Sequence, residues 1–302
     1  MTTLVFGHVN PDTDSIISSI ALASFLDDAE ACALGEPNKE TKFVLNKFNL
    51  KVPRVIEKVA GEKVAIVDTT ELSQLPDDIN EAEIERIVDH HRLGGLITNS
   101  PVNADIRTWG CTATVIWSLY VDIFKKTVSK DVAGAMVCAI LSDTVMFKSP
   151  TTTDYDKKAV EELSKIAEIE DYEKLGMEML RVKSSIENDS AIELIERDFK
   201  NFEISGKKIG IGQVELVDLS MIDSKLDDIK IELEKMKKEN SYWALILLVT
   251  DIMKEGSLVI AYSDDNPKIG QILGGQFENN QVWIDGIMSR KKQVAAPLMK
   301  DL

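Results

Sequence analysis

The 302-residue chain is poor in histidine, cysteine and aromatic side chains, and it has no long apolar run. Its longest apolar stretch, residues 243–250, has the length of a buried strand, whereas a membrane-spanning helix needs roughly 20 residues. The N-terminus has no basic segment, so no signal peptide is predicted. The three cysteines are far apart and form no Cys-x-x-Cys motif, which indicates reduced, packed thiols. We therefore expect a cytoplasmic protein without a membrane partner.

Positive charge is also scarce, since the formal net charge is −16. Such a field repels nucleic acid, so we expect no nucleic-acid partner and predict that binding any polyanion needs a local basic patch or metal ions. Residues 289–293, Ser-Arg-Lys-Lys-Gln, stand out against this background. They form either a solvated tail or a clamp for a phosphate, in which Arg290 supplies a two-pronged contact and Lys291 a point charge.

All three histidines fall in two short motifs that also contain aspartate. Residues 8–14 read His-Val-Asn-Pro-Asp-Thr-Asp, and residues 88–91 read Val-Asp-His-His. Neutral imidazole together with several carboxylates is the ligand mix expected for ions such as Mn²⁺, Co²⁺ or Zn²⁺. Helix capping would explain one of Asp12 and Asp14, but it explains neither the pair nor His8. The two motifs therefore predict a metal site.

Short apolar runs alternate with helical patterns along the first half of the chain. Strands are predicted over residues 4–6, 63–68 and 84–89, and helices over residues 15–26, 111–125 and 131–141, with Thr13 or Asp14 capping the first helix. This alternation predicts an α/β fold whose N-terminal sheet is mostly parallel and flanked by helices. Residues 154–198 are expected to be helical and highly charged.

A second alternation begins after a polar segment at residues 183–187. It consists of a strand over residues 208–214, a helix over 218–238, and strands over 242–250, 257–261 and 281–284. This pattern predicts a smaller C-terminal α/β domain with a mixed sheet. We therefore predict a metal-binding domain of residues 1–185 and a substrate-binding domain of residues 186–302.

Three predicted strands end beside a candidate ligand, namely His8, Asp68 and His90. Ligands gather at the carboxyl ends of parallel strands, so these side chains are expected at one edge of the sheet. A site for two metals needs at least one bridging carboxylate, and Asp68 and Asp143 are the remaining candidates, although an aspartate in such a place is often a loop cap. Because neighbours on an extended chain face opposite sides, His90 and His91 are expected to have different roles, with Asp89 orienting an imidazole.

The chain resembles the manganese-dependent family II inorganic pyrophosphatases, which belong to the Asp-His-His phosphoesterase superfamily. The resemblance runs the whole length in order, through residues 7–14, 67–68, 89–91, 110–114, 142–143, 147–150 and 289–293. The chain is similar to the compact members, which lack a long insertion with regulatory nucleotide-binding modules. It departs from many members at Thr69 and Thr70, where His-Asn is expected.

The resemblance implies two Mn²⁺ ions per subunit, with Co²⁺ as an alternative and Mg²⁺ accompanying the substrate, and it implies a homodimer. The ligands that it implies for one ion are His8, Asp12 and Asp68. Those that it implies for the other are Asp14, Asp68, His90 and Asp143, with Asp68 bridging. It implies that the residues contacting substrate are His91, Lys200, Arg290 and Lys291, with His91 as a proton donor.

The implied reaction is hydrolysis of pyrophosphate to two orthophosphates by a water that two metal ions activate, with His91, Asp143 and Asp68 as catalytic residues. Closure of the domains about the segment near residues 184–185 is expected. One alternative is an Asp-His-His phosphodiesterase for short oligonucleotides or cyclic dinucleotides, whose Gly-rich C-terminal motif contains histidine. Residues 270–275 contain none. The other alternative is a non-catalytic sensor that kept the metal site.

Overall fold

A computed structural model of the chain describes residues 2–302, apart from the side chains of Asp122 and Phe124. The chain divides into two compact units, Met1–Lys183 and Ser184–Leu302. Each unit has a sheet with helices, so the predicted α/β class is confirmed. Among the described residues, no helix is both long enough and apolar enough to cross a membrane.

The first unit is built on six parallel strands in the order β3-β2-β1-β4-β5-β6. The strands are β1 Thr3–Phe6, β2 Ala29–Ala33, β3 Arg54–Val55, β4 Lys63–Val67, β5 Glu83–Asp89 and β6 Asn103–Ile106. The order changes direction between β1 and β4, which lie side by side in the middle of the sheet. A crevice at such a switch point, beyond the carboxyl ends of the strands, is where ligands bind in open α/β sheets.

The described residues of the first unit form six α-helices. They are α1 Thr13–Phe25, α2 Lys39–Lys47, α3 Thr112–Ser118, α4 Lys130–Asp143, α5 Asp154–Ala167 and α6 Tyr172–Lys183. A π-helical turn, Leu119–Phe124, continues α3, and short 3-10 turns span Leu72–Gln74 and Ile79–Glu81. The apolar residues of α4 are buried along its whole length, as its many small side chains allow. α4 ends at Asp143, which places that carboxylate at a helix terminus.

The first helix begins earlier than predicted, and the predicted cap is wrong. Asp12 has an extended backbone, and its carboxylate accepts a hydrogen bond from the Ser15 N–H at 3.0 Å, so Asp12 is the N-cap. Thr13 and Asp14 lie within the first turn instead. The Asp14 side chain is therefore free to point away from the end of its own helix.

The second unit has a five-stranded sheet in the order β11-β10-β9-β8-β7. Its strands are β7 Phe199–Ile204, β8 Lys207–Leu216, β9 Ala244–Asp251, β10 Gly256–Ser263 and β11 Gln281–Asp285. The β8–β9 pair is parallel and the other pairs are antiparallel, which confirms the predicted mixed sheet. Alternate residues of β9 enter two separate apolar clusters, so this strand is buried on both faces.

The helices of the second unit are α7 Ala191–Glu196, α8 Leu226–Glu239, α9 Asn266–Leu273 and α10 Ala296–Asp301. The predicted helix over residues 218–238 begins as a 3-10 segment, Leu219–Lys225, before α8. A π-helical turn, Arg290–Ala295, leads into α10, so the basic segment is part of a folded terminus.

Candidate metal centre

His8 is the second residue after the end of β1, and the backbone that leads to it is fixed by a close contact at Gly7. A Cβ on Gly7 would lie 2.0 Å from Oγ of Ser15, so only glycine fits there. The Ser15 hydroxyl accepts a hydrogen bond from the His8 N–H at 3.2 Å. Nδ1 of His8 lies 2.8 Å from the Val9 carbonyl, which can only accept, so Nδ1 holds the proton. Nε2 is thereby left as a ligand atom.

Asp68 directly follows β4 and has a left-handed backbone, with φ of 61°. Its side chain is only 2% exposed. Oδ2 of Asp68 lies 3.4 Å from Nε2 of His8, and Oδ1 lies 3.4 Å from Nε2 of His90. One carboxylate therefore presents a separate oxygen to each of two imidazoles, which is the placement that a bridging ligand needs.

His90 follows β5, and its ring is oriented by a backbone carbonyl. Nδ1 of His90 lies 3.0 Å from the carbonyl oxygen of Trp109, so Nδ1 is the donor. Nε2 faces Asp68 and lies 3.6 Å from Oδ2 of Asp143. Within the described part of the chain, Nε2 is buried and has no hydrogen-bond partner. A buried, unpartnered nitrogen beside carboxylates fits a metal ligand.

Asp14 and Asp143 complete the cluster from α1 and from the end of α4. The buried Asp14 carboxylate accepts hydrogen bonds from the backbone N–H groups of Thr112 and Ala113, at 2.7 Å and 3.0 Å. These N–H groups belong to the first turn of α3, where a carboxylate is favoured by the helix dipole. The α3 N-terminus therefore holds Asp14 beside His90 and Asp143.

Among the side chains that the structure describes, three trios bring their ligand atoms within 4.8 Å of one another. The trios are His8, Asp12 and Asp68; Asp14, His90 and Asp143; and Asp68, His90 and His91. The first two trios share no residue, and Asp68 of the first trio also lies beside His90 of the second. Imidazole nitrogen and carboxylate oxygen suit divalent ions such as Mn²⁺. The residues present therefore fit the metals that the sequence predicted.

Comparison with known proteins agrees with this arrangement. The family model described as the DHH family N-terminal domain matches residues 2–140, and the DHHA2 domain model matches residues 177–300. A manganese-dependent inorganic pyrophosphatase of Methanocaldococcus jannaschii is 46% identical over 97% of both chains. A probable one of Archaeoglobus fulgidus is 44% identical over 98% of this chain and 97% of its own.

A crystal structure assigned to family II of the inorganic pyrophosphatases, from Methanococcus jannaschii, covers 100% of this chain and 99% of its own with a TM-score of 0.64 at 44% identity. This chain belongs to the manganese-dependent inorganic pyrophosphatases. The family to which the sequence analysis pointed is thereby confirmed.

The charges in the cluster oppose one another strongly in this pyrophosphatase. Burial lowers the pKa of His8 and of His90, but the adjacent carboxylates outweigh it and raise these values to about 11 and about 10. Burial, together with the charge of Asp68, raises the pKa of Asp14 to about 6. Burial and the charges of Asp14 and Asp68 raise the pKa of Asp143 well above its usual range. A divalent cation would relieve this crowding of carboxylates.

His91 differs from His90 in both exposure and partner. Its side chain is 54% exposed, whereas that of His90 is 12% exposed. Nδ1 of His91 lies 3.0 Å from Oδ1 of Asp89, which also accepts from the backbone N–H groups of both histidines. The hydrogen bond to Asp89 raises the pKa of His91. The two imidazoles thus differ in exposure and in hydrogen-bond partner, although Nδ1 of His91 also lies 3.6 Å from Oδ1 of Asp68.

Beside the cluster lies a cavity of about 920 Å³ within the first unit. Its walls include Thr69 and Thr70. Thr70 Oγ1 donates to the Arg92 carbonyl at 3.1 Å and accepts from the Gly94 N–H at 2.9 Å. Thr70 therefore ties the segment that follows His91 to the segment that follows Asp68.

In the second unit, Arg290 is 9% exposed, and Lys200 and Lys291 are exposed. The Arg290 guanidinium donates to the Asp198 carbonyl and pairs with Oδ1 of Asp198 at 3.0 Å. Arg290 also donates to the carbonyl of Ile211, which is the register partner of Lys200. These contacts bring Arg290 to the β7–β8 pair that carries Lys200.

Sequence reasoning missed the partners that orient the ligands. These partners all lie in one short segment. They are the Trp109 carbonyl, the Thr112 and Ala113 N–H groups, and the Thr112 hydroxyl, which donates to Oδ1 of Asp68 at 3.1 Å. The motif at residues 110–114 was the available signal for this segment, but backbone donors and acceptors leave no mark in a sequence.

Proposed function

We propose that this chain hydrolyses inorganic pyrophosphate to two orthophosphates at the cluster around Asp68. The observation that carries the proposal is that the two oxygens of Asp68 face His8 and His90 separately, each at 3.4 Å. The full-length relatives named as manganese-dependent inorganic pyrophosphatases support it.

The proposal includes two divalent ions per subunit. One would be held by His8, Asp12 and Asp68, and the other by Asp14, Asp68, His90 and Asp143. Mn²⁺ suits these donors, Co²⁺ is an alternative, and Mg²⁺ accompanies the substrate. When bound, such ions polarise phosphoryl oxygens and make water acidic enough to act as a nucleophile near neutral pH.

The chain's own residues would bind the anion and supply a proton. His91 holds a proton on Nδ1 through Asp89, and this hydrogen bond raises the pKa of the ring, which favours His91 as a proton donor to the departing phosphate. We assign Lys200, Arg290 and Lys291 to binding the phosphate groups, where a planar guanidinium gives a two-pronged contact.

We further propose that the protein is a cytoplasmic homodimer.

The direct test is an assay of pyrophosphate hydrolysis with Mn²⁺ and Mg²⁺, comparing the parent with Asp143→Asn. Because Asp143 belongs to the ligand cluster, we expect its substitution to lower kcat by several orders of magnitude. Asp131→Asn is a matched control, since Asp131 lies at the exposed start of the same helix. Metal binding without turnover by the parent would favour a sensor, and cleavage of a nucleotide substrate with pyrophosphate left intact would favour a phosphodiesterase.

A further inference from the structure

We infer that Asp156 is a positioning residue for the metal centre, acting through the segment Trp109–Ala113 that orients His90, Asp14 and Asp68. The inference rests on the proposed function only in taking these three side chains as metal ligands. Asp156 itself lies in the first turn of α5 and is fully buried. It is not among the side chains whose ligand atoms converge on one another.

The Asp156 carboxylate receives hydrogen bonds from three residues in two separate segments. The Gly110 N–H lies 3.2 Å from Oδ1 and 3.0 Å from Oδ2, and the Thr114 hydroxyl donates to Oδ1 at 2.6 Å. The Thr153 N–H and hydroxyl donate to Oδ2 at 2.7 Å and 2.6 Å. A buried carboxylate with this many donors is held in one orientation.

Helix capping explains only the contacts with Thr153. Thr153 and Asp156 form a capping box at the start of α5, which accounts for the bond from the Thr153 N–H, and the bond from the Thr153 hydroxyl lies at the same helix start. A cap makes no use of Gly110 or Thr114, which belong to the entry of α3. The bonds from Gly110 and Thr114 therefore need another explanation, and the position of the segment that leads into α3 supplies one.

Gly110 is shaped for this carboxylate. A Cβ on Gly110 would lie 2.9 Å from Oδ2 of Asp156 and 2.8 Å from Cγ2 of Thr144, both closer than real Cβ contacts. Only a glycine lets the backbone come close enough for its N–H to reach Asp156. The lack of a side chain at Gly110 and the burial of the Asp156 carboxylate thus both favour this hydrogen bond.

The residues on either side of Gly110 contact the metal-site side chains. On one side, the Trp109 carbonyl accepts from Nδ1 of His90 at 3.0 Å. On the other side, Thr112 donates through its N–H to Asp14 and through its hydroxyl to Asp68. A shift of this segment would therefore disturb three ligands at once.

The effect on His90 has a chemical consequence. Its Nε2 is available to an ion only while Nδ1 keeps its proton, and the Trp109 carbonyl enforces that tautomer. If the anchor at Asp156 is weakened, the carbonyl is no longer held at hydrogen-bond distance. The ring then rotates or changes tautomer, and the donor set loses its fixed geometry.

The test measures Mn²⁺ affinity by titration calorimetry in the full chain for the parent, Asp156→Asn and Asp154→Asn. The asparagine places an NH₂ group against donors that now meet a carboxylate, so we expect Mn²⁺ to bind about 10- to 100-fold more weakly. Asp154→Asn is the matched control, because Asp154 lies in the same helical turn but is exposed, and affinity should not change. Unchanged Mn²⁺ affinity in Asp156→Asn, with only a lower melting temperature, would overturn the inference.

A second pair of variants tests the same inference if Asp156→Asn does not fold. Thr114→Val removes one bond on the α3 side, and Thr153→Val removes one on the cap side. Positioning predicts that Thr114→Val weakens Mn²⁺ binding more than Thr153→Val does, and equal or reversed effects would contradict it. Turnover of pyrophosphate by the parent is measured separately. If it is absent while Asp156→Asn still weakens Mn²⁺ binding, the proposed function fails and the positioning role stands.

Discussion

Oδ1 of Asp89 lies 3.0 Å from Nδ1 of His91. The same oxygen accepts from the backbone N–H groups of His90 and His91, so the carboxylate fixes both the imidazole and the turn that carries it. Asp89 is fully buried at the end of β5, whereas the His91 side chain is half exposed. The arrangement resembles the carboxylate–histidine pairs that set the tautomer and basicity of a functional imidazole.

Replacing Asp89 by asparagine should change the pH dependence of turnover. The hydrogen bond to Asp89 raises the pKa of His91, so as a proton donor His91 stays active until pH rises through that raised value. Asp89→Asn removes the anion and lowers the pKa, so the alkaline limb of the kcat profile should move to lower pH. We expect kcat to fall by about 10- to 100-fold. An alkaline limb that does not move would show that His91 is not the group titrating there.

Replacing Asp68 by asparagine should weaken metal binding without unfolding the chain. Asn tolerates the left-handed backbone at this position, where φ is 61°, so the substitution adds no strain. Because Asp68 faces both imidazoles, we expect Mn²⁺ affinity to fall by more than about 100-fold, beyond the loss typical of an indirect partner. Calorimetric titration measures the affinity, and circular dichroism checks the fold. Retention of one tight Mn²⁺ equivalent would argue against bridging by Asp68.

Binding of Mn²⁺ should release protons. The pKa of His8 is raised to about 11 and that of His90 to about 10, so both rings are protonated at pH 8 in the metal-free protein. Each must lose a proton before Nε2 can bind an ion, so Mn²⁺ affinity should increase as pH rises toward these values. Calorimetry in buffers with different ionisation enthalpies counts the protons. We expect the Mn²⁺ affinity to rise by roughly tenfold per pH unit for each proton released. An affinity that is independent of pH between 7 and 9 would contradict this expectation.

Replacing Arg290 by lysine should affect substrate binding and leave metal binding unchanged. Lysine keeps the charge but loses the planar fork, so we expect KM for pyrophosphate to rise by about tenfold. Lys292→Ala is the control, because Lys292 is an exposed neighbour with no assigned role, and such surface changes have small effects. Steady-state kinetics gives KM, and calorimetry gives the Mn²⁺ affinity. An Arg290→Lys variant with unchanged KM would remove Arg290 from the substrate site.

The sequence predicted strands well where a run of apolar residues was the dominant pattern. Strands β1, β4 and β5 are short apolar runs that are buried in the sheet, and they were predicted close to their observed positions. Strands β2 and β6 were missed because they are partly exposed and mixed in composition, so the period and polarity of their residues carry little information. Strand β7 was missed for the same reason.

Candidate ligands could be chosen from the sequence because His-Asp clusters are unusual in composition. Their supports could not, because Trp109 contributes only a carbonyl and Gly110 only an N–H to the contacts described. Asp156 looked like one more charged residue at the start of a charged helix. The capping error at Asp12 has a related cause, since neighbouring aspartates all satisfy the preference for a cap and only the backbone decides between them.

The side-by-side placement of β1 and β4 also governs when this centre can exist during synthesis. Its carboxylates and imidazoles span the chain from His8 to Asp143, and the two central strands are joined through α1, β2, α2 and β3. A nascent fragment that ends before Asp143 lacks part of the donor set, because its members come from segments far apart in the chain. Such a fragment would offer Mn²⁺ only scattered, weak ligands.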